Sequence, residues 1–154
     1  MIVSDSTPLI VWARIGQLHV LKDLFGHLLI SQKVYEEVVL FGNGRPGEQE
    51  IVQANWIQLR SLAVPLKEPF RGEDEAIALA LEIQAEFVII DEVRGYRKAK
   101  VHGLTILRSG GLLVMAKQAG FIKRVRPILD HMIHEGFWLH HEVYQTILER
   151  VGEG

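Results

Sequence analysis

Met1-Ile2-Val3-Ser4-Asp5-Ser6-Thr7-Pro8 joins a short apolar run to a carboxylate, two hydroxyl residues and a proline. The apolar run suits a brief buried strand. Pro8 suits the first turn of a helix, where its missing N–H costs nothing, and a hydroxyl or carboxylate just before it can cap the helix. Asp5 is therefore expected where a strand turns into a helix, at the carboxyl edge of a sheet, which is where open α/β sheets bind ligands. A plain helix cap favoured by the helix dipole would explain the same residues, so the question is whether other carboxylates converge on this one.

Working outward, Leu9 to Ile15 and Leu18 to Phe25 carry helical periodicity broken at Gly16 and Gly26. His27 to Ile30 reads as a strand, and Ser31 caps a helix that holds Glu36 and Glu37 beside Val34, Tyr35 and Val38. Gly42 to Gly47 is the most loop-like stretch, followed by a helix near 48–54, a strand near 56–59 and a proline-containing crossing loop over 61–71. Gly72-Glu73-Asp74-Glu75 opens an Ala/Leu/Ile helix to about Gln84. Glu86 to Glu92 forms a second buried strand ending in acids. A helix near 94–101, a strand over 104–107 and helices near 112–119, 125–134 and 140–151 complete the chain.

Short apolar strands alternating with helices predict a parallel sheet covered on both faces, in one domain over 1–154. The 154 residues include no cysteine, which excludes a disulfide framework and thiolate chemistry. No apolar run approaches the roughly 18 residues of a membrane span and no secretory signal precedes the first strand, so a cytoplasmic location is expected. The net charge of −2 conceals an asymmetry: residues 94–126 contain no Asp or Glu but nine of the 17 Lys and Arg residues. A carboxylate-rich part beside a basic part could offer a reaction site and a phosphate track.

If the strands ending at Asp5 and Asp91 are parallel neighbours, both carboxylates emerge at one edge. Glu37 can approach from the flank, and Glu73 from the start of its helix. Clustered acids repel one another unless a cation neutralises them. An oxygen-only donor set suits Mg²⁺ or Mn²⁺ rather than Zn²⁺, and such an ion can activate water against a phosphodiester.

These blocks resemble PIN-domain ribonucleases, most closely the branch called DUF3368, over nearly the whole chain. The likeness rests on Ser4 to Ile10, Val34 to Val38, Gly72 to Ala80 and Ile89 to Glu92. Gly111-Leu112-Leu113, Ala116-Lys117, Gly120 and Gly136-Phe137 add to it. The resemblance implies a three-layer α/β/α fold and a metal-dependent ribonuclease, commonly the toxin half of a VapC-like toxin–antitoxin pair. It implies Asp5, Glu37, Glu73 and Asp91 as the four acidic positions, with Asp5, Glu73 and Asp91 on Mg²⁺ or Mn²⁺. Glu75 rivals Glu73, Glu92 can support Asp91, and Ser6 and Ser109 stand where the family holds a hydroxyl. Arg94, Arg97, Lys98 and Arg108 are candidates for RNA contact. A homodimer, with Trp12 and Leu21 as possible contact residues, and a small antitoxin partner are implied as well.

Two departures stand out. The branch usually has Gly-Arg after the fourth acid, where this chain has Gly95-Tyr96-Arg97, and a Gly where it has Arg108. Arg108 could clamp phosphate or fill the groove. Other readings fit less well. A receiver domain needs an acidic pair at its first strand, and an Asp-nucleophile phosphatase needs a second Asp where Thr7 stands. His131, His134, His140 and His141 read as a solvated tail. The competing class is a PIN fold kept as an RNA-binding or interaction module, served by the basic segment.

Overall fold

The computed structural model describes residues 1–42, 44, 45 and 47–154. Asn43 and Pro46, within the stretch read as a loop, lie outside the described residues. Five short strands alternate with helices: β1 (Ile2–Ser4), α1 (Ser6–Arg14), α2 (Leu18–Phe25), β2 (Leu28–Ile30), α3 (Gln32–Gly42), α4 (Glu48–Gln53) and β3 (Ile57–Leu59). Then come α5 (Gly72–Glu82), β4 (Phe87–Ile89), α6 (Val93–Val101), β5 (Ile106–Leu107), α7 (Ser109–Gln118), α8 (Arg126–His134) and α9 (His141–Arg150).

The strands form one all-parallel sheet in the order β3-β2-β1-β4-β5. Helices cover both of its faces, giving the three-layer α/β/α arrangement of PIN-like folds. Burial on both faces explains why Leu28, Leu29 and Ile30 form an unbroken apolar run rather than an alternating one. The core also takes Leu9 and Trp12 from α1, Ile89 and Ile90 from β4 and its end, and Leu112 and Leu113 from α7, all fully buried. Trp12 and Leu21, considered above as dimer contacts, are fully buried too and therefore belong to the core.

The chain winds outward from β1 through β2 to β3, then crosses back to place β4 on the other side of β1. The sheet order thus reverses between β1 and β4, where ligand crevices open in such sheets. Their register pairs Ile2 with Phe87, Val3 with Val88 and Ser4 with Ile89. Asp5 and Asp91 follow these two strands, so they leave the sheet at the same edge.

Several boundaries differ from the sequence reading, among them β5, which is regular only over Ile106–Leu107. The strand expected over 86–92 is regular only from Phe87 to Ile89, although the Ile90 N–H still donates to the Leu107 carbonyl at 3.1 Å. Helix α7 takes in Ser109, Gly110 and Gly111 and ends at Gln118. Gly110 lets the Ile147 side chain of α9 pack close there, where a Cβ would stand 2.6 Å from Ile147 Cδ1 and push that side chain's end aside.

Candidate active site

Asp5 caps α1. Its Oδ1 accepts from the Ser6 N–H at 2.8 Å, and its own N–H donates to the Ile89 carbonyl at 3.0 Å. The cap accounts for one of the two carboxylate oxygens. Burial is the main cause that pushes the Asp5 carboxyl from 3.8 up to about 7, against the Ser6 bond, and the charges of Glu37, Glu73 and Glu92 push in the same direction.

Asp91 is held more tightly. The Ser109 N–H donates to its Oδ1 at 2.7 Å and the Ser109 hydroxyl to its Oδ2 at 2.6 Å. The Trp12 indole N–H in turn donates to the Ser109 oxygen at 2.9 Å. Burial raises the Asp91 carboxyl above its usual range, with the Ser109 bonds opposing it. Ser109 is thus a helix-terminal residue that orients a carboxylate, and Trp12 fixes that orientation from the core.

Glu37 lies on α3, half-buried. It accepts from the Ser6 hydroxyl at 3.1 Å and from the Gly72 N–H at 3.4 Å. Gly72 has no Cβ to spare here, since one would overlap Glu37 Oε1. Glu92 is exposed and accepts from the Thr7 hydroxyl at 3.0 Å.

The two rivals at the start of α5 separate cleanly. Glu75 accepts from the Lys33 N–H at 2.7 Å, satisfying a free donor in the first turn of α3. Glu73 is buried beside Gly95, whose missing Cβ would stand 3.1 Å from Glu73 Oε2. Its Oε1 lies 3.0 Å from Arg94 Nε and 3.1 Å from Lys98 Nζ. Lys98 also reaches Asp74 at 2.7 Å. Burial alone would raise the Asp74 carboxyl, but the Lys98 ammonium and the Arg71 N–H together hold it below its usual value. Arg94 and Lys98, candidates for RNA contact, are therefore engaged on acids, whereas Arg97 is exposed.

Among the described residues the buried charged side chains are Asp5, Glu73 and Asp91. Buried carboxylates are costly and normally paired. Here only Glu73 has cationic partners in direct contact. Their all-oxygen chemistry fits a hard divalent ion. The arrangement, however, does not gather three Asp, Glu or His donors around one point among the described residues. Glu73 is turned onto Arg94 and Lys98 instead.

A family model described as DUF3368, PIN domain, matches residues 1–153. The chain belongs to this PIN-domain family. Comparison with curated proteins finds no match. PIN membership points to nuclease activity as the general class. Among the described residues of this PIN domain, no helix is long and apolar enough to cross a membrane.

Sequence reasoning did not foresee the Trp12 link to Ser109, the Thr7 bond to Glu92, or the cations on Glu73. Trp12 carried no signal, because one aromatic residue at helical spacing looks the same whether or not its N–H is used. The Arg94 and Lys98 pair had one: spaced four apart in α6, they share a face of that helix.

Proposed function

We propose that this PIN domain is a metal-dependent ribonuclease that hydrolyses phosphodiesters at the carboxyl edge of β1 and β4. The observation that carries this reading is that the buried charged residues, Asp5, Glu73 and Asp91, are the three expected metal ligands. Asp5 and Asp91 would hold Mg²⁺ or Mn²⁺, joined by Glu73 once its carboxylate leaves Arg94 and Lys98, with Glu37 assisting from α3. Such an ion, when bound, lowers the pKa of water and polarises a phosphoryl oxygen. The protein's own part is orientation. Ser109 fixes both oxygens of Asp91, and Ser6 links Asp5 to Glu37. The exposed Arg97 and Arg108 offer charge for the strand.

The testing experiment is Mn²⁺ calorimetry on the parent chain and Asp91→Asn, followed by RNA cleavage assays. Binding and cleavage that both vanish in Asp91→Asn support the proposal; a folded parent that binds no Mn²⁺ refutes it. The Arg94 and Lys98 contacts on Glu73 favour a second reading, an RNA-binding module without cleavage. That reading expects RNA affinity unchanged by Mn²⁺. A toxin role with a small antitoxin partner in the cytoplasm, and a homodimer, are the cellular setting we attach to the ribonuclease. Growth arrest on expression, relieved by the product of a neighbouring gene, tests the first, and sedimentation tests the second.

A further inference from the structure

A cavity of about 590 Å³ opens directly beside the acidic edge, with Asp91 and Glu92 in its wall. The starts of α1, α6 and α7 form one side, and residues 136–150 the other. Its volume lies within the roughly 300–1,000 Å³ of ordinary ligand sites. Two glycines shape it: Gly110 lets α9 approach α7 closely, and a Cβ on Gly111 would meet nothing within 4 Å, leaving that stretch of wall open.

The lining combines aromatic surface with positive charge. Trp138 is 70% exposed although it lines the cavity, and His140 packs edge-on against it with ring centroids 4.4 Å apart. Phe137 adjoins them, and Arg108 and Arg150 bring two cations to the lining. Arg108 is already ordered. Its guanidinium donates to the Asp91 carbonyl at 2.6 Å and lies 5.1 Å from the centre of the Tyr96 ring.

We infer that this groove is a nucleobase subsite, in which an unpaired base of single-stranded RNA stacks on Trp138 while Arg108 and Arg150 take its flanking phosphates. A flat apolar ring on an anionic backbone is the occupant that matches an exposed indole sharing its groove with two arginines. A wholly apolar helix would leave both arginines unmatched. Continuity with Asp91 places the stacked nucleotide next to the proposed reaction site. The inference rests on the ribonuclease reading for its substrate class, yet it concerns binding and can be measured without cleavage.

The test is titration of a labelled single-stranded oligoribonucleotide of mixed sequence into the full chain in EDTA, followed by anisotropy and by tryptophan fluorescence. Trp138→Ala is expected to weaken binding at least about fivefold, because base stacking on one aromatic residue is commonly worth that much or more. Trp138→Phe keeps a stacking face and is expected to keep most of the affinity while losing the fluorescence quench. Trp138 is exposed, so neither change disturbs the core. Equal affinity in Trp138→Ala and parent overturns the inference, as does a parent that binds no oligonucleotide. A parent dimer that Trp138→Ala splits, with RNA affinity unchanged, assigns the groove to a second copy and also overturns it. Failure of the ribonuclease reading looks different: RNA is bound through Trp138 but never cleaved.

Discussion

Asp5→Asn removes a charge that the fold holds at a cost. The carboxyl is raised from 3.8 to about 7, so folding favours its protonated form. The stability this form provides is complete below pH 3.8 and is lost as pH rises through 7. At about 1.4 kcal/mol per tenfold, ionised Asp5 costs the metal-free fold roughly 4 kcal/mol at pH 8.5, and less than about 2 kcal/mol at pH 5. Asn keeps the oxygen that accepts from the Ser6 N–H and carries no charge. Asp5→Asn is therefore expected to raise the metal-free melting midpoint by roughly 10 °C at pH 8.5, at about 2–4 °C per kcal/mol for a chain of this size. The gain should shrink by more than half at pH 5. Thermal unfolding followed by circular dichroism in EDTA reads both numbers. Saturating Mn²⁺ should raise the parent midpoint most at the higher pH and do little for the variant. A variant that melts below the parent at pH 8.5, or a gap independent of pH, would refute the reasoning.

Four further outcomes are expected. Gly72→Ala puts a Cβ onto Glu37 and breaks its link to Ser6, so Mn²⁺ affinity should fall about tenfold, the order of effect seen when a group that orients a metal site is removed, with the helical circular dichroism spectrum retained. Ser109→Ala strips partners from the Trp12 N–H and from Asp91; at about 1–3 kcal/mol per buried group left unpaired, it should lower the melting midpoint clearly. Arg94→Ala with Lys98→Ala frees Glu73 and should tighten Mn²⁺ binding several-fold in calorimetry, whereas weaker binding would show the cations to be part of the metal site's support. Glu153 accepts from the Val125 and Arg126 N–H groups and pairs with Lys117 at 2.9 Å, and these hold it at about 2 although burial opposes them. Its contribution is present above pH 4.5 and lost as pH falls towards 2, so Glu153→Gln should flatten the acid limb of a stability–pH curve.

The two strand-end acids were legible because they depend on one regularity. Once strands alternate with helices, a parallel sheet follows, and every strand ends at the same edge. The pairing of Ser4 with Ile89 made that edge real. Glu73 and Glu75 were not separable from sequence, because both sit in the first turn of one helix and the dipole favours either. Packing separates them: α3 offers Glu75 an unsatisfied backbone N–H, and α6 offers Glu73 two cations. Phe137-Trp138-Leu139 hid the groove for a related reason. A short apolar stretch in sequence does not say which of its members packs inward. Only the fold leaves Trp138 in solvent while Phe137 and Leu139 are partly covered.

The two departures from the pattern expected by resemblance meet in space. Tyr96 stands where an Arg is usual and Arg108 where a Gly is usual, and the Arg108 guanidinium lies over the Tyr96 ring. A cation–π contact of this kind is worth about 0.5–1 kcal/mol at an exposed site, enough to set a preferred position for a long side chain. The same guanidinium donates to the Asp91 carbonyl, not to its carboxylate. Arg108 therefore makes no ion pair with the Asp91 carboxylate of the kind that Arg94 and Lys98 make with Glu73, although its nearby charge favours the ionised acid. It holds a positive charge at the groove mouth, directed by Tyr96, and leaves both Asp91 oxygens under the control of Ser109. Of the two roles open to Arg108 in sequence, clamping phosphate or filling the groove, this geometry favours the clamp. In Tyr96→Ala, RNA affinity in EDTA should fall with Mn²⁺ affinity unchanged. Loss of both together would mean that Arg108 acts through Asp91 instead.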